Sequence, residues 1–341
     1  MIPGLGGRLL SHAYVEQQLL PALAALPGHA DVSALGRQLA RWWRHVKATL
    51  GPASSARAIC DVAAASLLEI LGHHMPAMAP HDWGLAGSMG RSPIALVVLP
   101  WASSLDSSWT HVLRAALACG ARWAMVTNGH SLRIVDCSRI WTRQAVDFDL
   151  AALLMDGRGV AALVALAGAR STLSTFVAES DRHSARVCHS LGDGVLAALP
   201  QLTESLGRSP TAFEQALTLV YRVLFLLFAE ARGLVPVWNE VYRDAYTIDA
   251  LCRRVTERPG APGLWASLQA ISRMAHTGCR AGELTVTPFN GRLFSPLHAP
   301  LVERRAVPDA IAQTVVLSLA TVASATGRQR IAYHDLGVEQ L

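Results

Sequence analysis

The sequence predicts an α/β region followed by a mostly helical region. Two apolar runs rich in strand-forming residues, Pro93 to Leu99 and Arg122 to Thr127, flank a helical stretch from Asp106 to Cys119. This order is a βαβ unit, and its parallel strands imply a sheet with at least one covered face. From about Leu150 onward the apolar residues return to helical spacing.

The length and composition support two folded domains. The chain has 341 residues, and 51% of them are hydrophobic. Since a domain typically has about 150 residues, we expect two domains with sizeable cores. We place the first, an α/β domain with an N-terminal helical part, at residues 1–150 and the second, a multi-helix domain, at residues 151–341.

Residues 8–75 are predicted to be helical, and the clearest helix runs from Leu35 to Leu50. At 100° per residue its apolar face consists of Leu35, Leu39, Trp42, Val46 and Leu50. The opposite face carries Arg37, Arg41 and Arg44, and these three together with Lys47 are our candidate nucleic-acid contacts. A basic, partly aromatic helix can lie against phosphates, and the alternative is a solvated arginine face.

The remaining elements follow the same two patterns. Asn128-Gly129-His130 is predicted to be a turn, and the two segments after it, Leu132–Val135 and Ile140–Phe148, to extend the sheet as a hairpin or meander. The helices predicted after it are Leu150–Ala169, Ser171–Leu206, Ile248–Val255, Leu264–His276 and Pro308–Ala325. A short strand is predicted at Glu283–Thr287.

The longest apolar helix is predicted between Ser209 and Pro236. Ser209 can cap it, although Thr211 and Glu214 also fit a capping box two residues later. Its middle is apolar on nearly all sides and holds only one arginine, Arg222, which must find a carboxylate or carbonyl partner. The uncharged runs beside Arg222 are much shorter than the ~20 residues of a membrane span, so we expect a core helix.

Charge and cysteine usage limit the function classes. The 30 basic and 25 acidic residues give a net charge of +5, which permits a polyanionic partner without requiring one. The six cysteines show neither a C-x-x-C motif nor a Cys/His cluster, so no metal site is predicted and a reducing cytoplasm fits best. The N-terminus has no signal-peptide pattern. Lys47 is the only lysine, which suggests a GC-rich bacterial genome.

Four segments together carry a family resemblance. They are the Ala212–Pro236 helix, Val241-Tyr-Arg-Asp-Ala-Tyr-Thr-Ile248, Pro288-Phe-Asn-Gly-Arg-Leu-Phe294 and the closing Tyr333-His-Asp-Leu-Gly-Val-Glu-Gln-Leu341. They resemble the region before the methyltransferase domain in type IIG restriction-modification enzymes and in adenine-specific methyltransferases of phage-defence systems such as BREX PglX. The resemblance covers the whole chain in order.

The resemblance implies a nuclease-like head, a helical connector and an association with double-stranded DNA. In these families a further domain transfers a methyl group from S-adenosylmethionine to adenine N6, and it carries a glycine loop and an Asn/Asp-Pro-Pro-Tyr/Phe motif. Neither motif occurs here, so we expect no cofactor in this chain and a separate methyltransferase domain or subunit as partner. We expect residues 151–341 to be the connector, with no membrane association.

The head resembles a PD-(D/E)xK nuclease at Ala121-Arg-Trp-Ala-Met-Val-Thr-Asn-Gly129, so Thr127, Asn128 and Gly129 are taken as family-motif positions. Such an enzyme needs acidic Mg²⁺ ligands and a lysine, usually as D/E-x-K on one strand. No D/E-x-K occurs in the sequence, and the matching strand, Ile94–Trp101, has neither acid nor lysine. We therefore predict a degenerate nuclease-like βαβ core without catalytic residues.

Some residues keep alternative roles. Glu16 resembles the helix glutamate of these nucleases, with Asp82 or Asp106 as a second acid, although a solvated helix face and a helix-start carboxylate explain Glu16 and Asp106 as well. Asn290-Gly291 fits a tight turn, and Arg292 beside it is a further candidate DNA contact. His73-His74 lacks a third metal ligand and fits a helix end.

The expected function is therefore a non-catalytic DNA-associating or scaffolding module. The first alternative is a truncated fragment of an adenine methyltransferase without activity of its own. The second is a Mg²⁺-dependent nuclease with unconventional ligands.

Overall fold

The computed structural model describes residues 2–25, 29–90, 93–289, 291–324 and 327–336. The chain divides into two compact units, Met1–His183 and Ser184–Leu341. The division falls within one long helix. Each unit has its own hydrophobic core and is described by itself.

A seven-stranded mixed sheet forms the centre of the first unit. Its strands are β1 (Leu5–Gly7), β2 (Ala79–His81), β3 (Gly84–Met89), β4 (Ile94–Val98), β5 (Trp123–Thr127), β6 (Ser131–Asp136) and β7 (Ala145–Asp149). Their spatial order is β1-β7-β6-β5-β4-β3-β2, and only β4 and β5 are parallel neighbours. The predicted βαβ unit is confirmed, and the meander after it forms, but its second strand begins at Ala145 rather than Ile140, because Ile140–Thr142 is a 3₁₀ turn.

Helices cover both faces of this sheet. They are α1 (His12–Tyr14), α2 (Leu20–Ala25), α3 (His29–Thr49), α4 (Ala56–Ile59), α5 (Ala65–Ile70), α6 (Trp109–Ala118), α7 (Leu150–Leu153), α8 (Gly157–Ala167) and the first part of α9 (Leu173–Leu206). π-Helical turns at Val15–Leu19 and Cys60–Ala64 join α1 to α2 and α4 to α5. In β4, Ala95 and Val97 face α6, whereas Leu96 and Val98 face the core formed with α3, α5 and α8. The period of two along the strand thus assigns alternate residues to different layers.

The second unit is mostly helical. After the rest of α9 it contains α10 (Ala212–Ala231), α11 (Glu240–Ala245), α12 (Ile248–Glu257), α13 (Leu264–Thr277), α14 (Gly291–Phe294), α15 (Pro300–Arg304) and α16 (Asp309–Ala320). Two small hairpins complete it: β8 (Cys279–Ala281) with β9 (Leu284–Val286), and β10 (Thr321–Ser324) with β11 (Gly327–Arg330). Helix α10 contributes much of the core, because most of its apolar residues are buried.

The predicted start and surroundings of α10 need one correction. The helix begins at Ala212, and neither predicted cap forms as expected: Thr211 at the N-cap makes no capping hydrogen bond with its side chain. Its hydroxyl instead accepts a hydrogen bond from the Gln215 side chain at 2.9 Å. Among the described helices only α10 is long and apolar enough to cross a membrane, and 61% of that window is buried within the fold. This burial is what a core helix requires.

Two further predictions about secondary structure were wrong. The final helix ends at Ala320 rather than continuing to Ala325, because Thr321 and Val322 enter β10. The sequence pattern also missed β3 and the two strands at the edges of the large sheet, β1 and β2, which have three residues each. Strands this short are too brief to show a reliable alternation of apolar residues.

Candidate functional site

The basic face of α3 is exposed as predicted. Its other side is buried through Leu39, Trp42 and Val46, and the Trp42 indole N–H donates to the Ala63 carbonyl at 3.0 Å. The four exposed cations are Arg37, Arg41, Arg44 and Lys47. In the described part of the chain no ion pair involves any of them. We name these four residues the α3 basic face.

A cleft of about 700 Å³ lies at the sheet edge where the parallel strands β4 and β5 have their carboxyl ends. Open α/β sheets commonly bind ligands at such an edge. The floor is formed by β6, β7 and β1, and the loop after β4 forms one wall. The polar and aromatic residues lining the cleft are Trp101, Ser103, Ser104, Asn128, His130, Ser131, Arg133, Asp147, Phe148 and Asp149.

The Thr127-Asn128-Gly129 turn holds one corner of the cleft in a fixed shape. The Thr127 hydroxyl donates to the Ser131 carbonyl at 2.9 Å and accepts from the Gly129 N–H at 3.1 Å. Gly129 has φ +94°, and a Cβ there would lie 3.2 Å from the Trp101 ring. The positive φ therefore favours glycine at this position, and a Cβ would also crowd the Trp101 ring. The structure gives these three predicted positions a structural role in the turn.

Asn128 fixes the tautomer of His130. The buried Asn128 side chain accepts from the Ser131 N–H through Oδ1 at 3.0 Å and donates through Nδ2 to the Ser103 carbonyl at 3.0 Å. In the flipped orientation the amide N–H₂ would face the Ser131 N–H and the amide oxygen would face the Ser103 carbonyl, so the flip is excluded. With the orientation fixed, Nδ2 also faces His130 Nε2 at 3.0 Å. Neutral His130 consequently carries its proton on Nδ1.

This tautomer decides what Ser131 can do. The His130 Nδ1–H donates to the Ser131 hydroxyl, which lies 2.9 Å away. A histidine that activates a serine must instead accept the hydroxyl proton. The Ser-His-Asn distances therefore imitate a catalytic triad, but the hydrogen-bond directions oppose its chemistry.

The cleft carries more negative than positive charge. Arg133 is 13% exposed and forms ion pairs with Asp147 at 2.5 Å and with Asp106 at 2.7 Å. Burial alone lowers the pKa of Arg133, but the hydrogen bonds and charges of the two aspartates raise it above its ordinary value. Asp149 adds a third carboxylate, which caps the start of α7. The cleft itself is lined by one guanidinium and two carboxylates, and Asp106 pairs with the same guanidinium from outside the lining, so the cleft is unfavourable for a phosphate.

The sequence candidates for Mg²⁺ ligands do not meet in this cleft. Neither Glu16 nor Asp82 lines it, and Asp106 is held by Arg133. β4, the strand in the D/E-x-K position, is apolar throughout, and Ala95 to Val98 are at most 1% exposed. His73 lies at the end of α5 as predicted and pairs through Nε2 with the Ala167 carbonyl at 2.9 Å.

In the second unit Arg222 finds the partners that the sequence required. Its side chain is fully buried, donates to the Leu293 and Ser295 carbonyls at 2.9 and 3.1 Å and forms an ion pair with Glu303 at 3.0 Å. Glu303 also accepts from Arg273 at 3.1 Å. Burial lowers the pKa of Arg222, and Glu303 offsets part of that effect. The arginine thus joins α10 to α15 and to the segment around α14.

The candidate residues beside α14 are not part of this network. Gly291 is the first residue of α14, and Arg292 within that helix is exposed. Asn290 lies outside the described residues. The prediction that Arg292 contacts DNA stays a prediction.

Several residues with evident roles carried no signal in the sequence. Glu303 stands in Pro-Leu-Val-Glu-Arg-Arg, which reads as an ordinary helix surface. Asp136 is fully buried, and Glu230 lines a cavity of about 240 Å³ in the second unit. The roles of such residues depend on partners that lie far away in the chain, and a single sequence does not show which residues are partners.

Comparisons of the chain with protein-family models, with curated proteins and with solved structures give no match.

Proposed function

We propose that this chain is a non-catalytic DNA-associating or scaffolding module of a restriction-modification or phage-defence adenine methyltransferase system. It acts in the cytoplasm with a methyltransferase half supplied by another domain or subunit, which binds S-adenosylmethionine. The proposal also interprets the sheet as a degenerate PD-(D/E)xK core and the second unit as a helical connector.

The observation that carries the proposal is the α3 basic face. Four cations lie exposed on one helix, and within the described chain no carboxylate neutralises them. Lys47 Nζ lies 5.9 Å from the centre of the Trp43 ring, which holds that cation near the helix. Such a row of cations contacts the phosphate backbone without reading sequence and releases counterions.

The proposal that the module is non-catalytic is supported by the residues around β4 and by the cleft. An apolar β4, buried from Ala95 to Val98, offers no metal ligand, and the nearby carboxylates are engaged with Arg133 or with the start of α7. The His130 tautomer likewise opposes nucleophilic catalysis by Ser131. These features support a binding role over a chemical one.

Salt-dependent DNA binding tests this function. We expect the chain to bind labelled duplex DNA at low salt, with a slope of log affinity against log salt of about −0.9 for each phosphate contact. If all four cations contribute, the slope is about −3.6. Changing the four to glutamine should remove most of the binding and flatten the slope.

A variant of equal charge change serves as the matched control. It replaces four exposed arginines of the second unit by glutamine: Arg253, Arg254, Arg258 and Arg280. We expect duplex affinity to fall far less in this control than in the α3 variant. Equal losses in both variants would show only a net-charge effect and would contradict a specific role of α3. The absence of duplex binding at low salt would refute the DNA-associating function.

A further inference from the structure

The loop between β6 and β7, residues 137–144, exposes a tryptophan that no core or cleft accounts for. Trp141 is 95% exposed, and its neighbour Ile140 is 37% exposed. They lie on a single 3₁₀ turn, Ile140–Thr142. We name residues 137–144 the tryptophan loop.

A buried aspartate holds the start of the tryptophan loop. Asp136 is fully buried and accepts from the Ser138 hydroxyl at 2.6 Å, from the Ser138 N–H at 3.0 Å and from Arg122 at 3.1 Å. Burial raises the pKa of Asp136, but the hydrogen bonds from Arg122 and Ser138 outweigh it and hold the pKa below its ordinary value. The aspartate therefore stays charged and keeps its donors in place.

Arg139 holds the end of the tryptophan loop. Its guanidinium donates to the Gln144 side chain at 2.8 Å and forms an ion pair with Asp181 at 2.5 Å. These contacts span the loop from its third residue to its last. A loop fixed at both ends presents its exposed Trp141 with little conformational entropy left to lose on binding.

Arg143 supplies a cation beside the tryptophan. With φ +47° and ψ +46° it is the only non-glycine residue at positive φ in the described chain. Such a conformation is uncommon and often marks a functional position. Its guanidinium lies 6.0 Å from the centre of the Trp109 ring, and the described residues give it no ion pair. The exposed Arg8 lies near the loop, because its N–H donates to the Ala145 carbonyl at 2.8 Å.

We infer that the tryptophan loop binds single-stranded nucleic acid, with Trp141 stacked on an unpaired base and Arg143 and Arg8 on neighbouring phosphates. An exposed aromatic ring on a loop that also carries the exposed Arg143, with the exposed Arg8 on the chain beside it, matches a ligand that offers a flat π face and phosphates together. An apolar protein pocket would match the ring alone and would offer no anion to the two arginines. The inference rests on the proposed function as a DNA-associating module and adds unpaired strands to the nucleic acids that it binds.

The test compares single-stranded with duplex DNA. The probe is a labelled oligothymidine of about 12 nucleotides, within the usual site size of one stacking module. We expect Trp141→Ala to weaken its binding about 5- to 150-fold, the equivalent of one lost base stack. Trp141→Phe should retain most of the affinity because it keeps an aromatic face. Binding of blunt duplex by Trp141→Ala should remain close to that of the unchanged chain.

Met155→Ala is the matched control, because Met155 is 87% exposed in the same unit and carries no proposed role. Circular dichroism checks the fold of each variant. Unchanged oligothymidine binding by Trp141→Ala would overturn the inference while leaving duplex binding through α3 intact. Loss of a methyltransferase partner with unchanged oligothymidine binding would assign the loop to protein contact and would also overturn it. If the unchanged chain binds duplex but no single strand, only this inference fails, and if it binds neither, both proposals fail.

Discussion

Replacing Arg222 by leucine should destabilise the second unit more than any exposed arginine substitution. The change removes three hydrogen bonds from a fully buried guanidinium, two to the carbonyls of Leu293 and Ser295 and one to Glu303. It also leaves Glu303, which is only 12% exposed, with Arg273 as its remaining ion-pair partner. Leucine is shorter than arginine, so part of the volume is left unfilled.

The magnitude follows from the known cost of breaking a buried ion pair. Removal of one partner typically costs about 3–5 kcal/mol, because the other charge stays buried without compensation. Arg273 still reaches Glu303 from a half-exposed position, which places the expected loss toward the lower end of that range. The leucine side chain recovers some apolar burial, whereas the two carbonyls lose their donor.

A double-mutant cycle separates the ion pair from the packing. We expect Arg222→Leu combined with Glu303→Leu to be less destabilised than the sum of the two single variants by about 0.5–3 kcal/mol. Urea denaturation followed by circular dichroism gives the free energies of unfolding. Hydrogen exchange measured by mass spectrometry assigns the loss to helix α10.

The control for this series is Arg253→Leu. Its arginine is about half exposed and forms only surface ion pairs, so we expect a change of at most about 1 kcal/mol. A loss below about 1 kcal/mol in Arg222→Leu, or strict additivity in the cycle, would refute the reasoning. Reduced DNA binding with unchanged stability would also contradict a structural role for Arg222.

Two further predictions concern buried polar groups. Burial raises the pKa of Glu230 to about 8, although it accepts from the Ile248 N–H at 2.6 Å. The folded-state pKa lies above the ordinary 4.5, so the protonated carboxyl group stabilises the folded state. This contribution to the free energy of unfolding is full below pH 4.5 and is lost as the pH rises to about 8. Glu230→Gln should flatten that part of the stability profile in urea titrations at several pH values, and an unchanged profile would contradict the shift. Asn128→Ala should cost about 1–3 kcal/mol in thermal or urea unfolding, because Ser131 N–H and the Ser103 carbonyl lose their partner. An effect within about 0.5 kcal/mol would mean that water replaces the amide.

Much of the fold could be predicted because the patterns concerned are local. The β4-α6-β5 unit follows from two apolar strand patterns on either side of an amphipathic helix. The α3 basic face follows from the 100° spacing of its arginines. The short edge strands β1 and β2 could not be found this way, since pairing with a neighbour rather than their own sequence makes them strands.

The candidate sites were less predictable. The sequence marked Thr127, Asn128 and Gly129, but the cleft beside them also depends on Asp147, which lies on another strand. Trp141 appeared to belong to a predicted strand, and only the structure shows it exposed on a loop anchored by Asp136. Exposure and anchoring depend on residues far apart in the chain, so a local pattern does not encode them.

The sequence by itself determined that Arg222 needs a partner. A guanidinium cannot lose its charge at ordinary pH, and a helix that is apolar on nearly all sides must bury it. Only the tertiary structure decided that the partners are Glu303 and the carbonyls of Leu293 and Ser295, more than 70 residues away. The need for a partner follows from the charge of one residue and the apolar pattern of its neighbours in sequence, whereas the choice of partner depends on how distant segments pack.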